Sequence, residues 1–231
     1  MKNVLSLCAA LLITATVFAQ NTLTKQEQKQ GWHLLFDGKT TNGWHTYLKP
    51  QAGSAWVVTN GVLELDPKGQ GRGDLVTDKE YENYELSVDW NISPEGNSGI
   101  IFGVHEDSTY RQTYLTGVEM QVLDDKQAED NKKANHLAGS LYDMKAPSAN
   151  VAKPAGEWNT AKIMKNNGHL TFWLNGTKVI DVQMGSPEWQ ELINNSKFKT
   201  WPGFAKYAKG KIALQDHGHK VSFRNVKIKE L

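Results

Sequence analysis

Trp56-Val57-Val58-Thr59-Asn60-Gly61-Val62-Leu63-Glu64-Leu65 decides the fold class. Two apolar-rich runs flank Asn-Gly, a pair that tolerates the positive φ values of a two-residue hairpin turn. The same grammar recurs where Leu170-Thr171-Phe172-Trp173-Leu174 meets residues 178–182 across Asn175-Gly176. Between these hairpins, residues 84–90 alternate, with Leu86, Val88 and Trp90 on one face and Glu85, Ser87 and Asp89 on the other. The apolar run 100–104, bracketed by Gly99 and Gly103, predicts a central strand buried on both faces. Further strands are expected over 74–77, 118–123, 158–165, 212–217 and 221–228. Strands at this spacing, with turn signals between them, predict an all-β, two-layer antiparallel sandwich or barrel. Ser186-Pro187-Glu188 opens one short helix that runs to 194.

The chain ends of this pattern differ from its middle. Lys2, an apolar stretch over 4–13 and Val17-Phe18-Ala19 predict a signal peptide over 1–19, cut before Gln20. The protein is therefore expected to be exported, to a periplasm or beyond. Its one cysteine, Cys8, lies inside that segment, and the bulky Leu7 before it argues against a lipid anchor. The mature chain has no thiol for a disulfide, a metal or a nucleophile. Residues 20–30 read as a polar arm, either a short helix or disordered, and 31–231 as a single domain. With 26 basic against 25 acidic residues, no basic face for nucleic acid is expected. No second apolar stretch is long enough to span a membrane. Residues 124–154 lack periodicity and read as long inserted loops, a common home for function.

Two segments place chemistry on strands. In Gly117-Val118-Glu119-Met120-Gln121-Val122-Leu123-Asp124, alternation sends Val118, Met120 and Val122 inward and gives Glu119 and Gln121 the other face. In Ile212-Ala213-Leu214-Gln215-Asp216-His217-Gly218, Ala213, Gln215 and His217 share one face. One such strand alone reads as a solvent face; two, carrying acid, amide and imidazole together, predict a polar floor if the faces coincide. His136 and Tyr142, in His136-Leu137-Ala138-Gly139-Ser140-Leu141-Tyr142-Asp143, could reach over the sheet edge as proton carriers. Arg72 and Asp74 could line a cleft or pair. Trp44 and Trp201, in loops next to Gly43 and Pro202, offer indoles for stacking on a sugar or for the core. No phosphate-cradling Gly loop, nucleophile elbow or His-Glu-x-x-His helix is present, so no nucleotide cofactor is expected.

Eight phrases in order resemble one family. They are Gly31-Trp32-His33-Leu34-Leu35-Phe36-Asp37-Gly38-Lys39 with Gly43-Trp44; Asn83-Tyr84-Glu85-Leu86; Gly96-Asn97-Ser98-Gly99-Ile100; and 118–124. Residues 136–142, Gly156-Glu157-Trp158-Asn159, 214–218 and Phe223-Arg224-Asn225-Val226-Lys227-Ile228 complete the set. The chain resembles the 3-keto-disaccharide hydrolase domain family over nearly its whole mature length. The resemblance implies a concanavalin-like jelly roll, export, and action on 3-keto-glycosides. Such proteins often carry Arg shortly after Asn-Ser-Gly-Ile, where this chain has Gly103; His105 or Arg111 could stand in for it.

The chemistry implied is elimination. A ketone at C3 acidifies the C2 hydrogen, so a base can form an enolate, the C1 group leaves, and water adds back. That route needs a base, an enolate stabiliser and an acid for the leaving group. His217 is the leading base candidate. Glu119 and Asp124 are candidates for a second base, an acid, or ligands to a divalent cation, whose presence the sequence leaves open. Gln121, Gln215 and Asp216 would bind hydroxyls with Arg72, Trp44 and Trp201, while Tyr142 or His136 would protonate the leaving oxygen. A sugar 3-dehydrogenase is the partner activity such a substrate implies. The alternatives are a conventional jelly-roll glycosidase, with Glu119, Gln121 and Asp124 at the spacing of its Glu-x-Asp-x-x-Glu strand, and a non-catalytic carbohydrate-binding module.

Overall fold

A computed structural model describes residues 20–231, so the expected signal peptide and Cys8 lie outside the described residues. In chain order the strands are β1 His33–Leu34, β2 Trp44–Thr46, β3 Trp56–Thr59, β4 Val62–Leu65, β5 Leu75–Thr77, β6 Tyr84–Ile92, β7 Asn97–Val104 and β8 Val118–Leu123. After a long loop follow β9 Asn159–Asn166, β10 His169–Leu174, β11 Thr177–Gln183, β12 Lys211–Leu214 and β13 Val221–Glu230. They form an eight-stranded sheet, ordered β11-β10-β9-β6-β13-β4-β3 with β1 also on β13, and a five-stranded sheet ordered β2-β5-β12-β7-β8. Every pairing is antiparallel.

Local chemistry explains the hairpins. Asn60 and Gly61 take φ of 51° and 76°, and Asn175 and Gly176 take 50° and 82°, as a tight turn of the primed type requires. Asn167-Gly168, at 49° and 78°, joins β9 to β10 by the same device. β6 alternates as its sequence predicts, burying Leu86, Val88 and Trp90. Those side chains meet the smaller sheet across the core, where Phe102 of β7 and Phe172 of β10 contact edge to face at 5.9 Å. β7 is buried on its other side too. There Ile101 and Val104 pack with Tyr47, Val76 and Ala213 beneath the loop after β7.

Of the two readings of the N-terminal arm, the structure takes the helical one. The arm is docked rather than loose: the backbone amides of Asn21 and Asn225 each donate to the other's side chain, at 2.7 and 2.8 Å. Its residues 25–29 form a capped helix, α1 Lys25–Lys29, with Thr24 and Glu27 closing a capping box. The predicted helix is α2 Pro187–Asn194, with the Ser186 side chain accepting from the Trp189 amide. Trp44 corrects the loop assignment. It begins β2, is 4 % exposed, and donates its indole N–H to the Leu35 carbonyl at 2.6 Å, so it belongs to the core and cannot stack on a ligand. Pairing of β2 with β5 buries it, a tertiary contact that the neighbouring Asn42-Gly43 turn signal does not reveal.

Candidate active site

The floor of the site is the outer face of the smaller sheet. On paired β7 and β8, Gly99 lies opposite Gln121 and Ile101 opposite Glu119, so these four residues share a face. Gly99 leaves the Glu119 carboxyl room to lie on the sheet, because a Cβ there would overlap its Oε1. The long loop then folds back along β8. Gly139 donates to the Gln121 carbonyl, Gln121 to that of Ser140, and Tyr142 to that of Glu119, at 2.9–3.1 Å. This covers the edge of β8 and sets Tyr142 beside Glu119.

Beyond β12 the chain leaves the sheet but stays pinned. The Gln215 amide donates to the Gly99 carbonyl at 2.9 Å, and Ser98 Oγ donates to the Gln215 carbonyl at 2.8 Å. The Asp216 amide donates to Asp74 Oδ1 at 2.8 Å. The Asp216 carboxylate accepts from Arg72 Nε and Nη2 at 3.0 and 2.5 Å, and from the Gly73 and Gly218 amides. Burial opposes its charge, but Arg72 and the two amides prevail and hold its pKa below the ordinary value. Arg72 and Asp216 thus brace the segment from behind rather than facing a ligand. Gln215 and His217, on either side of Asp216, face the cavity.

Glu119, Gln121, Gln215 and His217 therefore line one cavity of about 280 Å³, together with Asn97 and Tyr142. Its wall is Tyr114, Lys197, Phe198 and Trp201. Trp201 meets Phe198 edge to face at 5.1 Å and Tyr114 at 5.7 Å. The Lys197 ammonium stands 4.3 Å from the Tyr142 ring centre and 5.8 Å from that of Trp201, a favourable place for a cation. Its backbone amide is anchored by Asp143 Oδ2 at 2.8 Å. A second cavity of about 660 Å³ adjoins the first and shares Asn97, Tyr142 and His217 with it; Glu95, Gln127, Glu129, Asp130 and His219 bound the rest.

The floor is short of hydrogen-bond partners. Glu119 is 6 % exposed and its carboxyl receives no hydrogen bond from any described residue. Gln215 Oε1 is buried without a partner. The Asn97 side chain, 7 % exposed, has none among the described residues, and Gln121 spends only its oxygen, on the Val122 amide. Burial pushes the Glu119 pKa up to about 8, with Lys197 opposing and Asp74 and Asp130 adding to the rise. Asp74, itself raised to about 6 by burial, is held by Thr113 and the Asp216 amide.

Besides Arg72 and Asp216, three expected site residues do other work. Asp124 lines neither cavity; its carboxylate accepts from the Glu95 and Lys126 amides at 3.0 and 3.1 Å, tying the turn between β6 and β7 to the one that follows β8. It falls out of the floor because alternation carries it away from the Glu119 face. His136 lines neither cavity and sits behind Tyr142, each ring nitrogen 2.7 Å from a carboxylate, Asp130 on one side and Asp143 on the other. Asp130 in turn accepts from the Tyr142 hydroxyl at 2.9 Å. Burial first, and then Asp130, raise the Tyr142 pKa, which makes its proton hard to give up. Trp44, as described, is in the core. Trp201 does line the cavity, as one of the two expected indoles. Asn97, Tyr114, Lys197 and Phe198 went unnoticed as site residues in the sequence. Among the described residues no three His, Cys, Asp or Glu side chains converge as a metal site.

The family model described as 3-keto-alpha-glucoside-1,2-lyase-like domain matches residues 31–229. The chain belongs to the 3-keto-disaccharide hydrolase family. A 3-keto-disaccharide hydrolase of Bacteroides thetaiotaomicron is 34 % identical over 228 residues, covering 87 % of this chain and 79 % of the relative. A crystal structure from Parabacteroides distasonis ATCC 8503, assigned as a glycosyl hydrolase, superposes with a TM-score of 0.86 at 34 % identity, over 92 % of this chain and all of the other. A carbohydrate-binding module from Bacillus subtilis shares the fold alone, with a TM-score of 0.50 at 16 % identity over 81 % of this chain and 96 % of its own. As a member of the 3-keto-disaccharide hydrolase family the protein is a glycoside hydrolase-like enzyme with a jelly-roll fold. Gly103, where the resemblance led to an expected Arg, is an unpaired bulge residue at φ 69°, between Phe102 and Val104, which face Ile212 and Lys211. It lines neither cavity, and nor do His105 and Arg111, so that departure falls outside the floor just described.

Proposed function

We propose that the protein cleaves 3-keto-glycosides by removing the C2 proton, expelling the C1 substituent, and adding water back across the resulting double bond. The observation that carries this reading is the cluster of buried polar groups with no protein partner: the Glu119 carboxyl, Gln215 Oε1, the Asn97 side chain and Gln121 Nε2. Buried polar groups are almost always paired. A hydroxyl-rich ring seated over this floor supplies the missing partners, with Trp201 as its stacking wall. Only one carboxyl, Glu119, lines the smaller cavity among the described residues. Elimination needs only one base, one acid and a stabiliser for the enolate.

His217 is the base. It is exposed at the junction of the two cavities and makes no hydrogen bond that would hold its ring nitrogens. Lys197, caged by aromatic rings, is the cation positioned for the enolate oxygen. Glu119 keeps its proton near neutral pH because burial raises its pKa to about 8, which suits a proton donor. The family description as a 1,2-lyase-like domain agrees with elimination as the first half-reaction. The 3-keto substrate must arise by oxidation at C3, the work of a sugar 3-dehydrogenase. The leader over 1–19 would place that chemistry in the periplasm or outside the cell.

Turnover in heavy water separates the mechanisms. Elimination followed by hydration leaves solvent deuterium at C2 of the released 3-keto sugar; displacement at C1 leaves the original hydrogen there. Ordinary trehalose should resist cleavage while 3-keto-trehalose is consumed. Protium retained at C2 in the initial product sinks the elimination route, and cleavage of ordinary trehalose sinks the substrate assignment.

A further inference from the structure

The two adjoining cavities differ in charge and in lining. The smaller carries one cation, Lys197, among aromatic rings, and the larger carries three carboxylates, Glu95, Glu129 and Asp130. Asn97, buried and without a protein partner, lines both and so marks the junction as a place where a ligand passes through. The reaction itself is polarised in the same sense. Negative charge develops on the keto ring as the C2 proton leaves, and it is best placed near Lys197 and away from carboxylates. The larger cavity lies in the middle of the size range of small-molecule sites, with the smaller at its lower edge.

We propose that the keto ring enters the smaller cavity and that the larger cavity is the leaving-group subsite, selecting neutral or cationic, hydroxyl-rich leaving groups and rejecting anionic ones. Glu95 and Glu129 are exposed at this subsite and set its sign. Asp130 contributes too, but it is committed to holding the Tyr142 hydroxyl. The assignment rests on the elimination reading and adds to it a direction of binding and a leaving-group class.

The test uses three 3-keto-disaccharides with the same keto ring, whose leaving ring is glucose, glucosamine or glucose 6-phosphate. The wild-type protein should favour the glucose leaving group over its 6-phosphate by at least about tenfold in kcat/KM, the direction that like-charge repulsion dictates. The glucosamine compound should carry no penalty. Raising the ionic strength should narrow the preference, because the carboxylates are exposed and screened. In the Glu95→Gln, Glu129→Gln double variant the same ratio, measured within that variant, should fall severalfold. Equal use of all three compounds, or a ratio unmoved in the double variant, overturns the subsite. If no 3-keto-disaccharide of the set is cleaved by the wild type, the elimination reading fails and the subsite fails with it; cleavage without discrimination removes only the subsite.

Discussion

The outward faces of the two sheets carry polar residues in the same alternating pattern and treat them in opposite ways. On the larger sheet, charges are matched: Glu85 binds both Lys162 and Lys229 at 2.6 Å, Lys227 binds Glu27, and Asp89 takes the Asn225 side-chain amide. On the smaller sheet, Glu119, Gln121, Gln215 and Asn97 are buried and largely unmatched. Paired partners satisfy the first face. Something that arrives must satisfy the second. The contrast shows that alternation alone cannot tell a face matched by its neighbours from one left for a ligand; a cluster of unmatched polar groups around a cavity does.

The comparison breaks most sharply at Glu119. Glu119→Gln keeps the shape but removes the proton donor, and turnover of a 3-keto-glycoside should fall by about a hundredfold or more. Stability should move the other way at high pH. The folded pKa lies above the unfolded one, so the protonated group stabilises the fold fully below the unfolded value near 4.5, and that contribution is lost as pH rises through about 8. Urea midpoints at pH 5 and pH 9 should therefore drop more in the wild type than in the Gln variant; equal drops would show that Glu119 is not held protonated.

Gly99→Ala tests the room made for that carboxyl. The added methyl overlaps Glu119 Oε1 and should swing it off the floor, lowering kcat by about tenfold, a smaller loss than removing the acid outright. Steady-state kinetics on the variant, with its circular dichroism unchanged, would check this. Asp124→Ala should do the reverse, costing about 1–3 kcal/mol in denaturant midpoint through two lost amide acceptors while kcat stays as it was. At the far end of the scale, Lys229→Ala on the larger sheet should change stability by no more than about 1 kcal/mol and leave activity alone, because the half-buried Glu85 keeps Lys162 as a partner. A large loss of activity there would erase the contrast between the two faces.

Much of the sandwich was legible because its signals are local. Asn60-Gly61 and Asn175-Gly176 dictate their own turns, and residues 84–90 show which side chains go inward. The floor was legible for a related reason: Glu119 and Gln121 sit two apart on one strand, and Gln215 and His217 two apart beyond another. The wall was not. Lys197, Phe198 and Trp201 come from a short turn after α2 whose position depends on Asp143, more than fifty residues earlier. The cluster Lys197-Phe198-Lys199-Thr200-Trp201, basic and aromatic in a loop, was the available hint. Asp124 misled because its glycosidase-like spacing was weighed above the alternation that carries residue 124 off the Glu119 face, and His136 because its two carboxylate neighbours meet it only in the folded loop.

One strand has a consequence for how the molecule comes to be. β13 follows every other strand in chain order, yet it lies between β6 and β4 and also carries β1 and the Asn21 contact. Until residues 221–230 have emerged from the ribosome, β6 lacks one neighbour and the first two hairpin strands have nothing to join. The nascent chain must stay loose until those residues are made, which makes assembly slow and dependent on distant partners. A polypeptide that cannot close early is also one that can still be threaded, unfolded, through a narrow pore.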